Sequence, residues 1–243
     1  MQFLRYVPLL LARRINVVVE VQYKLAAIVR RMSPSLRVII NGTIIPQFDL
    51  HVPMLSLPAI FQTTSAHISA AVPYLSADQE LAEAWKPRLG SSDSFRIGLV
   101  WAGSLKPDPR RSTKLSDFRP LWEIPGVTWI AMQSDARWDE THEGLKAIDV
   151  GAELRDFSDT TASVLANLDL LITVDTSTAH LAGAMGVRTW TLLPYAADWR
   201  WLPDSPTSPW YPTMRLFKQR RPGDWEEVIA RIARSLREAV GRL

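Results

Sequence analysis

Short apolar runs rich in β-branched residues recur along the chain, each bounded by turn residues. They are "INVVVEV" (15–21), "LRVII" (36–40), "FRIGLVWAG" (95–103), "VTWIAMQ" (127–133), "LDLLITV" (168–174) and "VRTWTLLP" (187–194). Nearly continuous runs of this length are what parallel strands covered on both faces require. Between them, apolar residues return at helical spacing in "FLRYVPLLLARR", "YKLAAIVRRM", "LAEAWKPRL", "TTASVLANL", "TAHLAGAM" and the closing "DWEEVIARIARSLREAV". Strand and helix in alternation predict an α/β architecture with parallel sheets.

A composition break falls at "PRLGSSDSF" (87–95), where Pro, Gly and Ser follow a polar helix, and it places a domain boundary between residues 1–90 and 91–243. The second part reads as a β-α-β series from Phe95 to Pro194, then an irregular Trp/Pro-rich segment, then a last helix announced by "PGDWEE". The first part is strand-poor. It opens with a helix and has two clear strands, with the proline-broken "FDLHVPMLSLP" (48–58) as a possible third at a sheet edge. No internal repeat or low-complexity tract is present.

Composition changes this picture little. Of 243 residues, 47% are hydrophobic and 22% charged, as in an ordinary soluble globular protein. No run approaches the roughly 18 apolar residues of a membrane span. Arg5, Arg13 and Arg14 interrupt any signal-peptide core, so a cytoplasmic location is expected. The absence of cysteine removes disulfides and thiolate chemistry, and four scattered histidines without close pairing argue against a zinc site. A net charge of +3 suits phosphate-bearing ligands but lacks the basic runs of a nucleic-acid binder. "RRM" (30–32) and "QRR" (219–221) read as solvated surface, and the ten tryptophans mainly as core.

The densest chemistry lies in "DLLITVDTSTAHLAGAMG" (169–186), where an apolar strand gives way to a helix. Ligands of open α/β sheets bind beyond the carboxyl ends of strands. Asp175, Thr176, Ser177 and Thr178 would form the helix cap, with backbone N–H groups facing outward and His180 in the first turn. A phosphate fits this arrangement; plain capping accounts for one or two of the residues, since Ser, Thr and Asp are what any N-cap prefers. Gly183 permits close helix packing and Gly186 ends the helix.

Other strand ends carry further candidates. "SLKPDPRRS" places Lys106, Arg110 and Arg111 after one strand, as counter-charges for a diphosphate or as exposed loop charges. Gln133 closes another strand and could read a nucleobase or sugar. Asp159 reads first as a helix cap, and Asp198 with Arg200 as a local ion pair before Trp201. His51 could line a cleft, whereas His67 and His142 carry surface or packing roles. Neither GxGxxG nor GxxxxGK[ST] occurs, so no dinucleotide fingerprint or P-loop is present.

"RIGLVWAGSLKPDPRRS", "VTWIAMQ", "DFSDTTASVLANLDLLITVDTSTAHLAGAMGVRTWTLLPYAADWRW" and "SPWYPTMRLFKQRRPGDWEEV" resemble the C-terminal region of heptosyltransferase-like bacterial glycosyltransferases (glycosyltransferase family 9 type), in the variant often fused behind tetratricopeptide repeats. The resemblance implies a glycosyltransferase B fold of two Rossmann-like domains. It implies a nucleotide-diphosphate sugar held mainly by the C-terminal domain, inverting transfer to a glycan or protein acceptor, and no obligatory metal or other cofactor. The family's Asp-Thr-x-x-x-His element falls on Asp175, Thr176 and His180, its basic loop on Lys106 and Arg111, and its strand-end glutamine on Gln133.

The likeness lacks one part. Family members begin with a β-strand and a glycine-rich "GxGD"-like loop just before the segment matching "QFLRYVPLL", a region that usually supplies the general base. Either the native start lies upstream of Met1 or the chain is an N-terminally truncated copy with an incomplete first domain, with Asp49 and His51 as the remaining candidates for the base. A truncated copy that binds a nucleotide sugar or a partner without transferring anything is the alternative. A nicotinamide-dependent oxidoreductase is disfavoured by the missing glycine fingerprint.

Overall fold

The computed structural model describes residues 1–65, 67–68, 71–91, 93–104, 106, 108–134, 144–201 and 205–241. Its centre is a six-stranded sheet made of β3 (Phe95–Val100), β4 (Val127–Ala131), β5 (Ala147–Asp149), β6 (Leu170–Val174), β7 (Thr189–Leu193) and β8 (Met214–Lys218). The spatial order is β5-β4-β3-β6-β7-β8, with every pairing parallel. Counting from β3, this is the 3-2-1-4-5-6 order of a doubly wound sheet, whose direction of winding reverses between β3 and β6.

The continuous apolar runs find their reason in two covered faces. Every residue of β6 and β7 is buried. Ile97, Leu99, Leu170, Ile172, Trp190 and Phe217 face α8 (Trp225–Val240), which lays Val228, Ile229, Ile232, Ala233 and Leu236 against them at helical spacing. Asp224 caps that helix by accepting the Glu227 N–H at 3.1 Å. Ile130, Met132, Leu171 and Leu193 face the other way, toward α6 (Thr161–Leu165), α7 (Ser177–Ala184) and the N-terminal part of the chain.

That N-terminal part contains α1 (Val7–Ala12), α2 (Ala26–Arg30), α4 (Gln79–Trp85) and a two-stranded parallel sheet of β1 (Val18–Val21) and β2 (Arg37–Ile40), while α5 (Arg119–Trp122) lies between β3 and β4 in the chain. The edge strand expected within 48–58 does not form: Met54–Ser56 is a 3-10 turn leading into the short α3 (Leu57–Ile60), and residues 46–53 pair with nothing. Pro46 and Pro53 bracket the stretch and withhold ladder donors at both ends. Its apolar side chains stand in solvent, Leu50 92% and Phe48 59% exposed. Two strands went unrecognised in the sequence. β5 has three residues, and β8, "MRLFK", carries Arg215 and Lys218. Both are outer strands of the sheet.

The first residues dock far along the chain. Phe3, Leu4 and Tyr6 share one apolar cluster with Trp201, Trp210 and Tyr211. Arg5, 1% exposed, donates to the Trp210 carbonyl at 2.7 Å and to the Gln2 carbonyl at 2.9 Å. At the other side of the interface, Arg31 donates to the Ser158 carbonyl at 3.0 Å and pairs with Asp159 at 3.4 Å. Arg31 is therefore a tie between two parts of the molecule rather than solvated surface. No helix among the described residues is long and apolar enough to cross a membrane.

Candidate functional site

The crevice at the carboxyl ends of β3 and β6, where the winding reverses, is where a doubly wound sheet binds ligands. Two chain segments meet there. Beyond β3, Gly103 lets the Arg111 guanidinium lie flat on the backbone: a Cβ at position 103 would come within 3.1 Å of Arg111 Nε. Arg111 is held by donating to the carbonyls of Ser104 at 3.0 Å and Lys106 at 3.4 Å. Its charge reaches Asp175, at the start of the turn after β6.

Asp175 is partly buried, and desolvation raises its pKa above the ordinary carboxylate value. The Trp201 indole N–H, Arg111 and Arg200 oppose that shift, while Asp198 adds to it. Thr176 is the N-cap of α7: its hydroxyl oxygen accepts the Ala179 N–H at 3.4 Å and lies 3.2 Å from the Thr173 hydroxyl. Capping thus accounts for Thr176. Ser177 is exposed and Thr178 half-buried, and neither hydroxyl has a protein hydrogen-bond partner among the described residues. Their amides stand at the positive end of the helix.

His180 is packed between two aromatic side chains. Its ring stacks on Trp201 at 4.9 Å with a 17° tilt, meets the Tyr211 ring edge at 5.8 Å, and places Nδ1 3.0 Å from the Tyr211 hydroxyl. Burial pushes its pKa down to about 3, helped by nearby positive charge including Arg200. The imidazole is therefore neutral at pH 7, and Nε2 is the nitrogen left for a ligand. Behind it, Tyr211 fits because residue 183 is glycine: a Cβ there would stand 2.5 Å from the Tyr211 ring. α7 then stops at Gly186, whose φ is +74°.

Arg5 completes the support. It sits near the rings of Tyr74, Trp210 and Tyr211, at 5.0, 5.3 and 5.3 Å from their centroids. Desolvation raises the Tyr74 pKa, and more strongly that of Tyr211, so both stay protonated near neutral pH. Sequence reasoning missed Arg5, Tyr74 and Tyr211 as parts of the site. "SPWYP" was visible, but nothing local says that its tyrosine reaches a histidine on α7.

The other candidates separate. Lys106 is exposed on the same loop as Arg111, whereas Arg110 turns outward and is paired with Asp108 at 2.9 Å. Gln133 is buried and spans the end of β3, with Nε2 donating to the Ala102 carbonyl and Oε1 accepting the Ala102 N–H, each at 3.1 Å. Its amide braces the ends of two neighbouring strands. Asp49 and His51 are exposed on the unpaired 46–53 stretch. His51 packs near Phe48, and among the described residues no hydrogen bond, ion pair or ring contact joins either residue to Asp175–His180.

Three smaller readings also resolve. Asp159 is not the cap before α6. The N-cap is Thr160, without a side-chain cap bond, and Asp156 holds the turn before it, its Oδ1 accepting the N–H groups of Ser158, Asp159 and Thr160 at 3.0, 2.8 and 3.3 Å. Asp198 and Arg200 form the expected local pair, at 2.7 Å. In "QRR", Gln219 is buried and accepts the N–H groups of Tyr195 and Gly223. His142 lies outside the described residues.

No protein-family model matches the chain, and no solved structure does. Among curated proteins it is similar to Protein FlbA of Caulobacter vibrioides, with 31% identity over 176 residues. The match takes in 68% of this chain and 29% of FlbA, so the chain spans less than a third of that relative's length.

Proposed function

We propose that the chain binds a nucleotide-diphosphate sugar at the switch point and transfers the sugar, with inversion, to a glycan or protein acceptor. In this reading the fold is the glycosyltransferase B type, residues 91–243 form the nucleotide-sugar domain and residues 1–90 belong to its partner domain. The observation that carries it is the convergence of Arg111 and the Asp175–His180 cap beyond β3 and β6. The sequence resemblance adds to it.

The chemistry follows from charge. As the acceptor oxygen attacks the anomeric carbon, the bond from that carbon to the diphosphate oxygen breaks and negative charge grows on the leaving group. Arg111, the Ser177 and Thr178 amides and hydroxyls, and Lys106 from the same loop are the groups that would meet that charge. Neutral His180 would supply a hydrogen bond rather than a cation. Asp175 would serve best toward a hydroxyl of sugar or ribose, since an ionised carboxylate only accepts. The proton of the acceptor hydroxyl needs a base.

A specific observation favours a second reading, a module that binds the nucleotide sugar without transfer: Asp49 and His51 are exposed and unconnected to the cap. Product formation from a panel of donors separates the two. Binding itself is tested by thermal-shift titration with ADP, UDP and GDP. One of them at about 100 times its dissociation constant should add roughly 2.7 kcal/mol of stability. Arg111→Ala and His180→Ala should each lose most of that gain; equal shifts in wild type and both variants would remove the site assignment.

A further inference from the structure

A cavity of about 390 Å³ lies where three pieces of chain meet: Pro8 and Leu9 of α1, Arg31 and Met32 at the end of α2, and the segment 71–76. None of its lining residues belongs to the Arg111 loop or to the Asp175–His180 cap. The third wall is fixed from behind, because the Tyr74 and Leu75 N–H groups both donate to the Ala184 carbonyl at the end of α7, at 2.9 and 3.3 Å. The cavity is thus preformed, as ligand sites usually are, and its volume lies within the roughly 300–1,000 Å³ of small-molecule pockets.

Most of the lining is apolar. Leu9, Met32, Pro73 and Leu75 present hydrocarbon or thioether surface, and the Tyr74 hydroxyl is engaged with Arg5 and the Gln2 carbonyl, 3.4 and 3.3 Å away. Arg31 is the single charged side chain among the lining residues, and it has more donors than acceptors. Nη2 reaches the Ser158 carbonyl at 3.0 Å, Nη1 reaches Asp159 only at 3.4 Å, and Nε has no acceptor among the described residues. Asp159, whose side chain is 48% exposed, is a weakly held counter-ion. A guanidinium beside an apolar cavity calls for an anion.

We propose that this cavity binds a small monocarboxylic acid with a compact apolar body, its carboxylate on Arg31 and its body between Leu9, Met32, Pro73 and Leu75. A carboxylate matches the paired N–H groups of a guanidinium in charge and in plane. A phosphate or a dicarboxylate brings further charge, for which the lining holds no second cation. A neutral apolar molecule leaves the cation without an acceptor. The acid competes with Asp159 for the same guanidinium, so it acts on the tie between α2 and the turn before α6. The cavity shares no lining residue with the switch point, and the proposal stands apart from nucleotide binding there.

The test is isothermal titration of the full chain with benzoate, phenylacetate and hexanoate, each against its amide, and with inorganic phosphate. At least one acid should bind about tenfold or more tightly than its amide, as the gain of a charge-assisted hydrogen bond implies. Arg31→Met keeps an apolar stem and should abolish that preference. Ala71→Trp, a change at an exposed lining residue, leaves the guanidinium in place and should weaken the acid at least tenfold by filling the cavity, with the melting temperature unchanged. Asp159→Asn removes the rival carboxylate and should keep or strengthen binding. Equal affinity of every acid and its amide, preference for phosphate over all three acids, or no acid bound at millimolar concentration overturns the proposal. So does acid binding that survives Ala71→Trp undiminished, or that weakens in Asp159→Asn.

Discussion

At the residue scale, two side chains that looked alike in the sequence sit in different surroundings. Gln133 and His180 both follow apolar strands and both looked like ligand contacts, yet Gln133 spends its amide on Ala102. Gln133→Ala would leave a buried N–H and a buried C=O unpaired, at about 1–3 kcal/mol. Urea denaturation should show that loss while the nucleotide thermal shift is retained. His180 should reveal itself through pH. Its folded pKa of about 3 lies below the ordinary value of 6.5, so between those limits the unfolded chain binds the extra proton. Stability should therefore fall as pH drops from about 6.5 toward 3 and be fully present above it; His180→Gln should show a flatter curve by urea denaturation at pH 7, 5.5 and 4. Asp175, with its raised pKa, pulls the other way closer to the carboxylate range.

At the element scale, α7 was the most legible feature of the chain. Its strand, cap and glycine stop all follow from local chemistry: buried β-branched residues, a threonine oxygen for an amide, and a glycine at positive φ. What the sequence withheld was its partner. Gly183 announces that something packs closely but not that it is the ring of Tyr211, on a loop made later in the chain. Gly183→Ala would push a methyl into that ring, and overpacking of this kind costs about 1–3 kcal/mol. Nucleotide binding should weaken as well, because the same ring fixes His180; a variant that loses stability in urea yet binds ADP, UDP or GDP as before would show that Tyr211 does not position the imidazole. β5 and β8 were illegible for another reason. An outer strand is paired on one side only and tolerates charge, so Arg215 and Lys218 erased the apolar run by which inner strands are recognised.

At the scale of the whole molecule, the alternation of strands and helices gave the α/β class, whereas strand order came only from the structure. The order matters most for function, since it is what sets the loop after β3 beside the loop after β6 and so brings Arg111 to Asp175. The stretch from Ile44 to Leu50 shows the converse. It has strand-like residues but no neighbour to pair with, and it stays unpaired with its apolar side chains in water.

The buried Arg5 has a consequence for how the molecule comes together. Its main acceptor, the Trp210 carbonyl, lies 205 positions further along the chain. A ribosome releases the arginine long before that carbonyl exists, so for most of synthesis the opening turn carries a cation and apolar side chains with no place to be. Contacts of such long sequence separation form late and slowly. The contacts that brace the imidazole therefore wait for a residue far along the chain.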